Sequence, residues 1–275
     1  MNQSVEIICV GNELLIGKTL NTNAQWLTKR ITTLGLLVKR VTVVGDNLSD
    51  ISMAIKEAIQ RKPCYVIITG GLGPTFDDMT LEGLAKALNR QTKVDDQALQ
   101  MVAEKYRMYA KDVKINEIEL TPHRLKMAKI PVGSTVVRNP MGTAPAVKFE
   151  HKNITIFALP GVPSEMKGIF EESIAPLLKN AGQGMNFFET SIVSTNVMES
   201  EMAPFIDVAM KDNPYVYIKS HPKGTETSSF IEFHLSSTDK DADVAKNRVN
   251  KALAHLKELI QKRGGTIITT LPDDF

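Results

Sequence analysis

Asp77 and Asp78 lie in a glycine-rich run, Thr69-Gly70-Gly71-Leu72-Gly73-Pro74-Thr75-Phe76-Asp77-Asp78-Met79-Thr80. Glycines carry no Cβ, so their amides can approach a phosphate closely. Two carboxylates just beyond such a turn would repel that phosphate unless a divalent cation stood between them. The run therefore points to metal-assisted handling of a phosphorylated ligand. A plainer reading leaves the glycines as a tight turn, with Asp78 or Thr80 capping the next helix. Two other loops add carboxylates. Gly11-Asn12-Glu13-Leu14-Leu15-Ile16-Gly17 brings Glu13, and Gly45-Asp46-Asn47 brings Asp46. Converging carboxylates raise one another's pKa, a strain that a Mg²⁺-like ion relieves. The simpler alternatives are that Glu13 bonds its own turn and that Asp46 is an ordinary turn residue. The five histidines are scattered. No His/Cys grouping has zinc-ligand spacing, so a hard, oxygen-liganded ion is favoured. Ser164 reads as a helix N-cap and not as a nucleophile, because no histidine lies in a suggestive arrangement beside it.

These residues need elements to hold them. Val5–Val10 reads as a strand ended by Gly11. Leu20, Ala24, Leu27, Ile31 and Leu34 recur at helical spacing over 20–34, with Gly35 as the stop. Leu36–Val44 is a second strand, and Ile51, Ala54, Ile55, Ala58 and Ile59 mark a second helix. Tyr65–Ile68 is a third strand, leading into the glycine run, and Leu81, Leu84, Ala85 and Leu88 mark the helix after it. This alternation predicts βαβ units, hence an α/β domain with a mostly parallel sheet and helices on both faces. The three loops then lie at carboxyl ends of strands, where open α/β sheets bind ligands. Residues 95–110 and 121–129 read as helices. Residues 135–138, 145–149 and 154–159 read as short strands, a hairpin-like addition to the sheet. Pro160-Gly161-Val162-Pro163-Ser164 turns into a helix carrying Met166, Ile169, Phe170, Ile174, Leu177 and Leu178. A break is expected at 179–184, giving a first domain over 1–180 and a second over 185–275. The second reads as strand 187–194, helix 199–211, strands 215–219 and 229–236, and helix 240–262, a small α+β unit.

A chain of 275 residues with 43% hydrophobic and 23% charged residues has the composition of a globular protein. Its net charge of +2 gives no electrostatic reason to expect nucleic acid or an anionic membrane. The longest apolar runs are strand-length, so no membrane span is expected. The first residues have no basic region followed by an apolar core, so no signal peptide is expected, and a cytoplasmic location follows. Cys9 and Cys64 sit in apolar runs and read as buried free thiols.

The motifs, taken in order, resemble those of the CinA competence/damage-inducible protein family. They are Gly11–Gly17, Asn21-Thr22-Asn23, Val44-Gly45-Asp46-Asn47, Thr69–Thr80, Asn139-Pro140-Met141-Gly142-Thr143-Ala144-Pro145 and Leu159-Pro160-Gly161-Val162-Pro163-Ser164-Glu165-Met166. The N-terminal domain of that family is similar to the molybdopterin-binding domain of MogA, MoaB and MoeA. Met198-Glu199-Ser200-Glu201 and Asn213-Pro214-Tyr215-Val216 look like its KH-like domain. Asn12 and Asn21 depart from the family, standing where many members carry Asp, and Ala146 stands where Gly often follows Ala-Pro. The chain ends at Phe275 without the family's C-terminal nicotinamide mononucleotide deamidase domain, so that activity is expected to be missing.

The resemblance implies metal-dependent hydrolysis of the ADP-ribose pyrophosphate to AMP and ribose 5-phosphate, or of a related dinucleotide. Asp78 and Asp46 would be catalytic. Asp78, Asp46 and Glu13 would hold Mg²⁺, Mn²⁺ or Co²⁺, with or without a monovalent cation. Thr69, Gly70, Gly71, Gly73, Pro74 and Thr75 would bind the phosphates, with Gly142, Thr143, Pro160 and Gly161 as the opposite wall. The alternative is molybdopterin binding or adenylylation, through the same loop. An RNA-binding module ranks below both, because residues 187–262 contain no Gly-x-x-Gly clamp. The expected partners are a nucleotide or pterin ligand and further copies of the chain, as dimer or trimer, with no membrane.

Overall fold

The structure is a computed structural model that describes residues 4–112, 121–182, 184–225 and 228–268. The chain divides into two compact units, Met1–Thr32 with Leu36–Gly182 and Thr33–Gly35 with Gln183–Phe275.

In the first unit the elements run β1 (Ser4–Val10), α1 (Asn12–Leu15), α2 (Thr22–Thr33), β2 (Leu37–Val44), α3 (Leu48–Gln60), β3 (Tyr65–Thr69) and α4 (Thr80–Ala87). They continue with β4 (Thr92–Val94), α5 (Asp96–Asp112), α6 (Pro122–Lys126), β5 (Lys129–Pro131), β6 (Thr135–Val137), β7 (Ala146–His151) and β8 (Ile154–Leu159). A helical stretch ends the unit: α7 (Pro163–Ile169), a π turn over Phe170–Ile174, and α8 (Ala175–Ala181). The π turn has a local cause. Pro176 enters the first turn of α8 without an N–H, so the regular bonding pattern is interrupted just before it.

The main sheet has the order β2-β1-β3-β8-β7-β6. β2, β1, β3 and β8 pair in parallel, whereas β7 and β6 are antiparallel additions. This bears out the α/β, mostly parallel architecture and the hairpin-like addition. Side chains alternate between its faces. Ile8, Val10, Val66, Ile68, Ile156 and Ala158 share one core cluster with Ile51 and Ile55 of α3, Leu81 and Leu84 of α4, and Val102 of α5. Ile7, Ile67 and Phe157, of the other parity, are also fully buried. Leu27 and Ile31 of α2 and Phe170 and Ile174 after α7 are fully buried too. Trp26 meets Phe170 edge to face, and Arg30 pairs with Glu171, linking these two helices.

Several local expectations change. Leu20 is 85% exposed and precedes α2, because Asn21 caps that helix by accepting from the Ala24 amide at 3.0 Å. The helix expected over 121–129 stops at Lys126, and Lys129–Pro131 instead pairs with Thr92–Val94 as a two-stranded sheet. Thr121 caps α6, its hydroxyl accepting from the Arg124 amide, with Pro122 in the first turn. Ser164 is not an N-cap, since Val162 holds that position and Pro163 opens the first turn. Cys9 and Cys64 are free thiols, Cys9 buried and Cys64 half-buried; burial pushes the Cys9 thiol up and keeps it protonated.

The second unit runs β9 (Asn186–Thr195), α9 (Glu199–Asp212), β10 (Tyr217–Thr225), β11 (Ser228–Asp239), α10 (Ala242–Lys262) and β12 (Thr266–Ile268). Its sheet, β10-β11-β9-β12, is antiparallel throughout. Val249, Ala252, Leu256 and Ile260, one stripe of α10, pack with Met202 and Ile206 of α9 over Ile218, Ile231 and Phe233. β12 is an addition to the expected elements, and residues 269–275 of the expected second domain lie outside the described residues. No described helix is long and apolar enough to cross a membrane.

Candidate functional site

Four parallel strands send their carboxyl ends to one place. β1 gives Gly11 and Glu13, β2 gives Asp46, β3 gives the glycine run, and β8 gives Pro160 and Gly161. A cleft of about 410 Å³ is lined by all of these, together with Met127, Thr143, Ala144 and Glu165. It lies where the sheet order turns, with β2 on one side of β1 and β3 on the other, the usual ligand position in open α/β sheets. A smaller lobe of about 100 Å³ shares Val10, Glu13, Gly70 and Gly161 with it and adds Asn21, Asn23 and Thr69.

The glycine run is shaped by its own main chain. Gly70 has φ +107°, and a Cβ there would stand 2.1 Å from the Val10 carbonyl oxygen. Gly71 has φ +64°, and its Cβ would meet the Thr80 hydroxyl at 2.5 Å. Thr80, fully buried, donates its hydroxyl to the Gly70 carbonyl at 2.7 Å, and its amide donates to the Gly71 carbonyl at 3.1 Å. Helix α4 begins after Met79 with no side-chain cap, so neither Asp78 nor Thr80 is an N-cap. Asp78 turns back into the loop instead. Its Oδ2 accepts from the Thr75 amide at 2.8 Å and lies 2.6 Å from the Thr75 Oγ1. Asp77 Oδ1 reaches the same hydroxyl at 2.5 Å. One hydroxyl has one proton, so it serves one of these carboxylates at a time. The Thr75 bond, its own backbone and the Lys126 charge hold the Asp77 carboxyl below the usual aspartate range.

The phosphate-binding expectation is narrowed by these bonds. The Gly70 amide donates to the Leu159 carbonyl at 3.0 Å and the Gly142 amide to Asn139 Oδ1 at 2.8 Å, so neither is available to a ligand. The Thr69 hydroxyl, 3% exposed, donates to the Pro160 carbonyl at 2.9 Å and accepts from Asn23 at 3.1 Å. It ties the glycine run to the Pro160–Gly161 turn and has no donor left for a phosphate. The amides of Gly71 and Gly73 donate to no acceptor among the described residues. Pro74 and Thr75 line the cleft, but their carbonyls face α6, where His123 meets Pro74 and Lys126 donates to Thr75. Thr143 lines the cleft with its hydroxyl 3.9 Å from the Met127 sulfur.

Asp46 is held by a reciprocal pair. The Asn12 amide donates to Asp46 Oδ2 at 2.8 Å, and the Asp46 amide donates to Asn12 Oδ1 at 3.2 Å. Its neighbour Asn47 caps α3. Glu13 lines both lobes, its carboxylate folded over Gly11. Glu13, Asp46, Asp77, Asp78 and Glu165 thus share one cleft, and no Lys, Arg or His is among the described residues lining it. Among the described residues, however, no three His, Cys, Asp or Glu side chains stand close enough to hold an ion by themselves. The donor set suits a hard cation that takes one or two carboxylates and completes its shell with phosphate and water.

Sequence reasoning passed over three residues here. Asn23 donates its amide to Thr69 and, at 2.7 Å, to the Gly161 carbonyl. Asn139, 4% exposed, gathers the Asn139–Ala144 loop. Glu165 accepts from Asn139 Nδ2 at 2.7 Å and sits where a Cβ on Gly142 would be. All three stood inside quoted motifs, but nothing in their types or spacing announced chemistry.

The family model of probable molybdopterin-binding domains, MoCF_biosynth, matches residues 6–180. The chain belongs to that family. The MoCF_biosynth match covers every cleft residue from Val10 to Glu165 and ends before Gln183, where the main segment of the second unit begins. A protein of Sulfurisphaera tokodaii is 45% identical over 264 residues, covering 96% of this chain and 97% of its own. One of Pyrobaculum arsenaticum is 42% identical over 265 residues, with the same two coverages. Such relatives share both units. Among solved structures, the protein CinA with unknown function from Thermoplasma acidophilum is similar at 40% identity and a TM-score of 0.57. That likeness covers 62% of this chain and 95% of that one.

Proposed function

We propose that the MoCF_biosynth domain binds a phosphorylated pterin of the molybdopterin class. In this reading the amides of Gly71 and Gly73 take phosphate oxygens. Asp78, with Asp77, Asp46 or Glu13, would hold a divalent cation, which would offset the phosphate charge. The observation that carries it is the chemistry of the wall: two unpaired glycine amides beside five carboxylates, with no cationic side chain lining the cleft. An anionic ligand enters such a wall with its own metal ion, and a heterocycle rich in N–H donors suits the remaining carboxylates. The family match supports the same ligand class.

The test is a thermal melt with molybdopterin and Mg²⁺. A specific ligand raises Tm with dose by mass action. Asp78→Ala is expected to abolish the Mg²⁺-dependent part of that rise. An unchanged rise in Asp78→Ala would remove Asp78 from the site, and no rise in the native protein would remove the ligand class.

A second reading, hydrolysis of ADP-ribose to AMP and ribose 5-phosphate, draws support from the Asp77–Thr75–Asp78 corner. Two carboxylate oxygens meeting one hydroxyl make a place where a metal-bound water could be oriented. Its test is AMP release with Mg²⁺, Mn²⁺ or Co²⁺ by the native protein and by Asp78→Ala and Asp46→Ala. Release that persists in both variants would dismiss the catalytic assignment.

A further inference from the structure

Glu165 is the one carboxylate in the cleft whose orientation is fixed by a buried side chain. Asn139 uses its whole hydrogen-bonding capacity. Its Oδ1 accepts from the Met141 amide at 3.0 Å and the Gly142 amide at 2.8 Å. Its Nδ2 donates to the Ala144 carbonyl at 2.8 Å and to Glu165 Oε2 at 2.7 Å. The two amides can only donate and the carbonyl can only accept, so the Asn139 amide cannot be turned around. Glu165, in the first turn of α7, is thereby pinned through Oε2. Gly142 makes room for it, since a Cβ there would overlap the carboxylate at 1.9 Å. The other oxygen, Oε1, has no protein donor among the described residues, although Glu165 lines the cleft. A carboxylate held this way is an acceptor of fixed direction in a cleft without lining cations.

We propose that Glu165 recognises the ligand's heterocycle, accepting from adjacent ring N–H and exocyclic amino donors of a 2-amino-4-oxopyrimidine ring. Two parallel donors match the acceptor geometry of one carboxylate, whose remaining lone pairs are not used by Asn139. This rests on the pterin-binding reading and assigns it a residue. The competing role for Glu165 is to hold the 139–144 loop in place, and one substitution separates the two. In Glu165→Gln the side-chain oxygen must still accept from Asn139, so the loop contact survives. The amide nitrogen then occupies the Oε1 position and presents donors where the ligand also presents donors.

The experiment measures binding of 6-hydroxymethylpterin and of pteridin-4-one, which lacks the 2-amino group, without added metal. The native protein is expected to prefer the amino-bearing ring by about tenfold, the scale of one hydrogen bond to a charged acceptor. Glu165→Gln is expected to lose that preference with an unchanged Tm. Glu165→Ala, which removes the Asn139 contact, should lose the preference and lower Tm as well. A preference kept in Glu165→Gln overturns the assignment to Glu165 and leaves the pterin-binding reading standing. No binding of either ring, together with no Tm rise from molybdopterin in the native protein, overturns both. Working without metal keeps a metal-ligand role for Glu165 from producing the same result.

Discussion

The two walls of the cleft are built on different principles. The glycine wall, Thr69–Thr80, is determined by main chain: two positive-φ glycines, a carbonyl contact at Val10, and buried Thr80 clasping two carbonyls. The facing wall, Asn139–Ala144 with Glu165, hangs on the side chain of Asn139. Its shape is therefore coupled to the carboxylate it presents. Damage to the first wall should appear as lost folding. Damage to the second should appear as altered binding with a smaller loss of stability.

The largest expected effect is on the first wall. Gly70→Ala forces a Cβ onto the Val10 carbonyl in a backbone conformation that L residues rarely adopt. Strain and overpacking together should cost about 3 kcal/mol. Denaturant unfolding of the first unit measures it, and a loss under about 1 kcal/mol would mean that the wall yields more easily than its geometry implies. Asn139→Ala comes next. It leaves the Met141 and Gly142 amides, the Ala144 carbonyl and Glu165 without their partner, and should cost about 2 kcal/mol because water can reach part of the loop. The comparison sharpens if Asn139→Ala also removes the preference for an amino-bearing pterin while Gly70→Ala, where still folded, keeps it.

A third prediction concerns the departure at Asn12. In Asn12→Asp the side-chain oxygen can still accept from the Asp46 amide, so the latch persists, but a second charge now stands beside the Asp46 carboxylate. At this exposed site the repulsion should cost about 0.5 kcal/mol. Mg²⁺ should recover that loss if an ion binds near Asp46. Melts with and without Mg²⁺ read it directly, and a loss that Mg²⁺ leaves untouched would move the ion away from the β1 and β2 loops.

The same contrast explains what could be read in the sequence. Strands β1, β3 and β8 are apolar runs ended by Gly or Pro, and helices α2 and α3 show their buried stripe at three- and four-residue spacing. The sheet and the strand ends followed from local pattern. The glycine register was visible for the same reason, because a backbone requirement leaves its mark in residue type. Side-chain bonds across long separations leave none. Asn12 meets Asp46 34 residues away and Asn139 meets Glu165 26 residues away, so neither partnership shows in the local sequence around Asp46 or Glu165. Three-residue strands such as β4, β5 and β12 are too short for alternation to show. Of the pair Asp77 and Asp78, only Asp78 stands among the expected site residues, yet both reach the Thr75 hydroxyl.

That last pair offers the smallest effect and the finest discrimination within the glycine wall. Asp77 is half-buried, and its carboxyl is held below the ordinary value of 3.8, first by the Thr75 hydroxyl and then by its own backbone, with Lys126 adding a smaller part. A depressed folded-state pKa stabilises the fold wherever the unfolded carboxyl would also be charged, and the contribution disappears as the folded carboxyl takes up its proton. The native protein should therefore exceed Asp77→Asn in Tm by a small constant margin from neutral pH down to about pH 5. The margin should shrink as pH falls below 3.8 toward the folded value. Partial exposure and salt screening keep it small, so the comparison belongs at low ionic strength. If the margin instead grows on acidification, the Thr75 proton is serving Asp78, and Asp77 is the carboxylate that takes up a proton in the fold.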